Sequence, residues 1–137
     1  MKVVKVTEKK QIDAFHQLPY KIYKNDTNWI PPLRMMVESI FDPQKNNALS
    51  TGDARRWVIY NDNNELVGRI AAFYTESYSL QAGQPTGGLG FFECIDDQKV
   101  AGLMFDTARD WLKKTGMEAM DGPINLGENF FNWGLLV

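Results

Sequence analysis

Asp96 and Asp97 stand between an apolar run, Gly88–Ile95 (GLGFFECI), and a long amphipathic segment that begins at Gln98. Where a strand hands over to a helix, backbone N–H groups and the positive helix end can hold a phosphate. Two aspartates at that place have two readings. As N-caps they satisfy the first amides of the helix. As neighbours of a phosphate they repel it, by on the order of 1 kcal/mol per charge pair at ~5 Å and intermediate dielectric. Other reactive residues are sparse. Cys94 is the only cysteine, and no Ser/Cys-His-Asp constellation accompanies it. His16, the only histidine, falls in the first helical segment and reads as a structural or surface residue. No spacing of His, Cys, Asp or Glu matches a metal site.

Periodicity and punctuation set the strands and helices that carry these residues. Lys2–Val6 is a β-branched run and predicts a strand. Thr7 offers an N-cap to a helix over residues 8 to 24, with Gln11 one place too late for a capping box. Ile12, Phe15, Tyr20 and Tyr23 carry its apolar spacing, and Pro19 predicts a bend. Pro31 and Pro32 impose an extended connection, then a second helix spans Leu33–Phe41. Residues 42–53 read as a polar loop. Ala54–Tyr60 and Glu65–Tyr74 flank a turn-forming NDNN and predict an antiparallel hairpin. Residues 75–87, with Pro85 and several glycines, read as a loop. Gly88–Ile95 is then a strand, Gln98–Lys114 a helix, and Met117–Ile124 a further strand. Val100, Met104, Ala108, Trp111 and Leu112 form the helix's apolar stripe, and Gly116 its stop. That last unit is a βαβ crossover, so its strands are parallel. The expected class is α/β (α+β), a mixed sheet in the order β-α-α-β-β-β-α-β.

Composition narrows the function classes. The chain has 137 residues, 44% hydrophobic and 23% charged, which suits one soluble domain with a sizeable core. A formal net charge of -2 gives no general attraction for nucleic acid or anionic membrane. Lys2, Lys5, Lys9 and Lys10 are interrupted by Glu8 and Asp13 and read as a solvated face. No apolar run approaches the ~18 residues of a spanning helix, and the N-terminus lacks the apolar core of a secretory signal. A lone cysteine fits a reducing cytoplasm.

The order of elements resembles the GNAT superfamily of N-acetyltransferases, and more closely an uncharacterised bacterial GNAT-like group. The stretches that carry the resemblance are NDTNWIPPL (Asn25–Leu33), LVGRIAAF (Leu66–Phe73), GFFECIDD (Gly90–Asp97), DGPINL (Asp121–Leu126) and NWGLLV (Asn132–Val137). It implies acetyl-coenzyme A bound where the fourth strand meets the next helix, by a Gln/Arg-x-x-Gly-x-Gly/Ala loop. The aligned residues are Gln98, Lys99, Val100, Ala101, Gly102 and Leu103. Gln98 fits the first position, Ala101 and Leu103 replace small residues of the pattern, and Gly102 is out of register. The resemblance makes Glu93 the base for an incoming amine, while the residue itself reads first as a half-buried strand residue paired with an arginine such as Arg69. The family's tyrosine beyond the fifth strand has no counterpart. Trp29 with Pro31 and Pro32 matches the turn that walls the acceptor site, or else anchors the loop by packing. Asn125, after the parallel strand, is a modest ligand candidate. The implied partner is a small-molecule amine. The alternative is a non-catalytic GNAT-fold module that binds another small molecule or a protein. The resemblance also implies a single domain over 1–137 that lacks the family's later strands, either truncated or part of a longer protein, the alternative being a short natural domain. The apolar segment Phe130–Val137 would then fold back over its own sheet or, as the favoured expectation, pair two copies into a dimer.

Overall fold

The computed structural model describes residues 1–124 and residue 126. Five strands form one sheet in sequence order: β1 (Lys2–Lys5), β2 (Gly52–Tyr60), β3 (Leu66–Thr75), β4 (Thr86–Cys94) and β5 (Ala119–Asp121). The first four are antiparallel to their neighbours, and β4 pairs with β5 in parallel. Four α-helices accompany them: α1 (Lys9–Ile22), α2 (Arg34–Ile40), α3 (Glu76–Ala82) and α4 (Gln98–Lys114). The mixed sheet, the hairpin and the parallel crossover are those expected from the sequence.

Strand alternation divides the core between the two faces of the sheet. Trp57, Ile59, Ile70, Ala72 and Leu89 point to one face, where Val100, Met104, Ala108, Trp111 and Leu112 of α4 cover them. Val58 points to the other face and packs with Phe15 of α1 and Val37 of α2. The α4 stripe is therefore the one read from periodicity, and the helix keeps the predicted boundaries. Its close fit to β3 leaves no room at Gly68, where a Cβ would lie 2.7 Å from the Met104 sulfur.

Four local readings change. The N-cap of α1 is Glu8 rather than Thr7, which puts Gln11 at the third helical position and closes a capping box. The Gln11 side chain accepts from the Glu8 amide at 2.6 Å. Residues 75–87 are not all loop, because Thr75 caps α3 by accepting from the Tyr78 amide and Gly83 ends it at φ 75°. A short 3-10 turn, Asn47–Thr51, likewise lies in the expected polar loop, started by the Asn46 side chain. The last strand is shorter than expected: Met117 is still tied to Leu112 by a backbone bond, and pairing stops at Asp121.

An irregularity in α1 fixes how that helix docks on the sheet. Pro19 lies inside α1 and has no N–H to give the Phe15 carbonyl one turn earlier. That carbonyl accepts instead from the Arg69 guanidinium at 2.9 Å. A proline that would leave an orphaned acceptor thus docks α1 onto β3.

Candidate functional site

The β4 strand changes register where it approaches its end. Ala71 faces Gly90 but Arg69 faces Glu93, so β4 carries one extra residue there. Phe91 sits in that bulge with φ 47°, a left-handed conformation that costs a bulky side chain energy. The extra residue resets the alternation. Phe91 packs on the α1 and α2 side, Phe92 on the α4 side, and Glu93 returns to the α1 side beside Arg69. Phe92 stacks on Phe105 of α4, with ring centroids 4.6 Å apart and planes 12° apart.

The bulge adjoins the place where the parallel pair ends. β4 and β5 pair over Thr86–Gly88 and Ala119–Asp121, and the Ile124 amide reaches the Leu89 carbonyl at 2.7 Å. Among the described residues the ladder goes no further. The C-terminal end of a parallel strand next to a helix start is where ligands enter open α/β sheets.

On the α1 side, Arg69 is 4% exposed and holds Glu93 through Nε and Nη2, each 2.6 Å from Oε2. Its guanidinium also lies over the Phe15 ring at 4.7 Å. The Tyr23 hydroxyl lies against the same carboxylate. Burial, and then Glu93, push the tyrosine up to about 12. Tyr23 stacks on Trp29 at 5.1 Å, and Tyr20 meets Trp29 edge-on at 5.0 Å. A continuous path therefore runs from the bulge through Glu93 and Tyr23 to the loop between α1 and α2. Of this group, Trp29, Glu93 and, as the ion-pair partner of Glu93, Arg69 are the residues singled out from sequence. Tyr23 reads there only as part of a helical stripe, since nothing local shows that its hydroxyl meets a carboxylate of β4.

A second ionic cluster ties α2 to the sheet. Arg56 grips both Glu38 oxygens, with Nη2–Oε1 at 3.1 Å, and His16 Nε2 lies 2.9 Å from Oε2. Burial opposes the Glu38 charge, but hydrogen bonds from His16 and Arg56 outweigh it and hold the carboxyl down at about 2. His16 is thus a structural link between α1 and α2.

The helix start after β4 is occupied by its own acid. Asp97 caps α4, and its carboxylate accepts from the Lys99 amide at 2.8 Å. Gln98, Lys99 and Gly102 are exposed, while Ala101 and Leu103 are half-buried. Val100 is 2% exposed and belongs to the core, so its side chain offers nothing to a ligand. A Cβ added at Gly102 would meet nothing within 4 Å, so no close approach of the protein's own atoms requires that glycine. Asp96 and Asp97 also act on Cys94: burial first, then these two charges, push its thiol up and away from reactivity. Asn125 and the segment Phe130–Val137 lie outside the described residues. Among the described residues no cluster of His, Cys, Asp or Glu is placed to hold a metal.

The architecture has solved counterparts. An acetyltransferase of the GNAT family from Staphylococcus aureus Mu50 superposes with a TM-score of 0.59 at 15% identity, over 87% of this chain and 69% of that one. A protein described as a probable acetyltransferase gives 0.59 at 16% identity, over 100% and 98%. A protein of Pyrococcus furiosus gives 0.57 at 14% identity, over 99% and 96%. The chain has the GNAT fold. No family model matches the chain. In sequence it is 31% identical to protein YghO of Escherichia coli over 128 residues, 88% of this chain and 30% of that protein. It is 28% identical to a bacterial ceramide synthase of Caulobacter vibrioides over 130 residues, 94% of this chain and 34% of that protein. The chain thus spans about a third of the length of the curated relatives it matches.

Proposed function

We propose that this GNAT-fold chain belongs to an acyltransferase that moves an acyl group from a thioester donor to an amine. The observation that carries the reading is Glu93, held by Arg69 and met by Tyr23 beside the end of the parallel β4–β5 pair, in a fold shared with acetyltransferases. The acceptor approaches from the α1–α2 side, past Trp29 and Tyr23. Glu93 and Tyr23 are the groups within reach of its proton, and Arg69 keeps Glu93 oriented. A ceramide synthase among the relatives supports an amine acceptor, because a ceramide carries its acyl group on nitrogen. A half-buried single cysteine agrees with a reducing, cytoplasmic setting.

Acetyl-coenzyme A is the donor that the resemblance implies, and the first turn of α4 does not fit its diphosphate. Asp97 already takes the Lys99 amide, and Asp96 adds a second negative charge. The donor is therefore held by its acyl and pantetheine end. Titration calorimetry with acetyl-coenzyme A and with acetyl-pantetheine, which lacks the diphosphate, tests this. Comparable affinities are expected, together with amine-dependent thiol release. No binding of either thioester, and no thiol release with a panel of amines, would overturn the reading. The self-capped α4 favours one second reading, a module that binds a small molecule or protein without turnover. Thioester binding without thiol release would select it.

A further inference from the structure

The far end of the sheet carries a separate hollow. A cleft of about 510 Å³ opens where β3 ends and β4 begins, beside α3 and Met117. Pro85, in its wall, precedes the first residue of β4, whereas Phe91 and Glu93 stand near the last, so the cleft is distinct from the groups given to acyl transfer. The polar atoms of its walls are committed to holding its shape. The Ser79 hydroxyl donates to the Thr86 carbonyl at 3.1 Å and accepts from the Thr86 amide at 3.2 Å, which fixes α3 against β4. The Pro85 carbonyl accepts from the Glu118 and Ala119 amides at 2.7 and 3.2 Å, which fixes the start of β5 beside it. Walls tied in this way exist before any ligand arrives, and the volume lies within the roughly 300–1,000 Å³ of small-molecule sites.

What the walls then offer is mostly apolar. Tyr74, Leu80, Pro85 and Met117 line the cleft, and Leu80 is 74% exposed. α3 has no buried residue, so Leu80 serves the cleft and not the core. One charge lines the walls, that of Glu76. Glu76 lies one turn before Leu80 on the same face of α3, and its carboxylate has no partner among the described residues. The charges nearby do not cancel it. Asp53 stands opposite Tyr74 in the β2–β3 ladder and has the same sign. Arg55 is drawn over the Trp111 ring, 5.2 Å from its centroid, and Lys113 lines a neighbouring groove that shares only Met117 with this one.

We propose that this cleft binds a small organic cation, an ammonium group on an aliphatic or aryl stem. The ammonium pairs with Glu76, and the stem lies against Leu80, Tyr74 and Met117. An anion would be repelled by Glu76, and a neutral molecule of the same shape would bind without the ionic attraction.

Two-dimensional amide NMR of the full chain tests this, with phenethylamine as the probe and phenethyl alcohol as its uncharged counterpart. Millimolar amine should shift the amides of Glu76, Leu80, Gly83 and Met117 in a saturable way. The alcohol should bind roughly fivefold more weakly, about what an exposed ion pair contributes. Glu76→Gln should remove that difference by weakening the amine alone. Leu80→Ser should weaken both ligands, and because Leu80 is exposed, near-ultraviolet circular dichroism should be unchanged. An amine that shifts none of these amides would overturn the proposal. So would shifts confined to Tyr23, Trp29 and Glu93, which would place the amine on the α1 side of the sheet. Equal binding of amine and alcohol, or a Glu76→Gln variant that binds the amine as wild type does, would remove the ionic contact and the proposal with it.

Discussion

Replacing Arg69 by Met removes a charge from the interior while keeping most of the apolar stem. Two acceptors lose their donor at once: Glu93, whose side chain is 18% exposed, and the Phe15 carbonyl that Pro19 cannot satisfy. Breaking a buried pair from one side costs about 3–5 kcal/mol. Glu93 keeps some water and the Tyr23 hydroxyl, so the low end, about 3 kcal/mol, is expected. For a chain of this size that is a fall of roughly 10 °C in melting temperature. Calorimetry and urea melts of Arg69→Met, Glu93→Gln and the double variant give the coupling directly. The double variant should be less unstable than the sum of the singles by about 2 kcal/mol, because neither site is then left with an uncompensated charge. A second cycle isolates the carbonyl. Pro19→Ala restores an N–H that can reach Phe15, so it should add back about 1 kcal/mol more in the Arg69→Met background than in wild type. An Arg69→Met variant within about 0.5 kcal/mol of wild type would refute the argument. Strict additivity of Arg69 with Glu93 would do the same.

Two other positions have defined outcomes. Glu38 titrates at about 2 in the folded protein against an ordinary value of 4.5, so its contribution is fully present above pH 4.5. That contribution is lost as pH falls toward 2, and acid unfolding of Glu38→Gln, followed by circular dichroism, should lack this part of the transition. Gly102 lies on an exposed face of α4 with open space around it, so Gly102→Ala should stabilise the fold by roughly 0.5–1 kcal/mol. Thioester affinity should not change with it, and a loss of affinity by calorimetry would show that a ligand does approach the backbone there.

What could be read from sequence was what local chemistry decides. α4 has a stripe of five buried residues, an acidic cap and a glycine just past its end, and all three agree on its limits. α3 carried its own cap and stop at Thr75 and Gly83, but Pro85 and the glycines around it outweighed a helix of only seven residues. The bulge at Phe91 left no signal, because a left-handed backbone normally announces itself with glycine or asparagine, and here tertiary packing holds a phenylalanine in it. Pro19 predicted a bend in a helix that runs on past it. The helix does run on to Ile22, and the bond missing at the Phe15 carbonyl is replaced by an arginine fifty-four positions from Phe15.

The same contrast bears on the site. Two aspartates at a helix start are ambiguous in sequence, and the Asp97–Lys99 bond shows that one of them caps. A cap that uses its own carboxylate stabilises the helix and at the same time fills the position an anionic group would take. The groups left for chemistry then lie on the other face of the sheet, where the bulge has turned Glu93 toward Arg69 and Tyr23. Without the extra residue, Glu93 would point to the α4 side, into a core of Val100 and Met104 where a carboxylate has no partner. One inserted residue in β4 therefore does two things. It shifts the register of β4 against β3 beside the end of the parallel pair, and it brings the only acid of β4 to the α1 side, beside Arg69 and Tyr23.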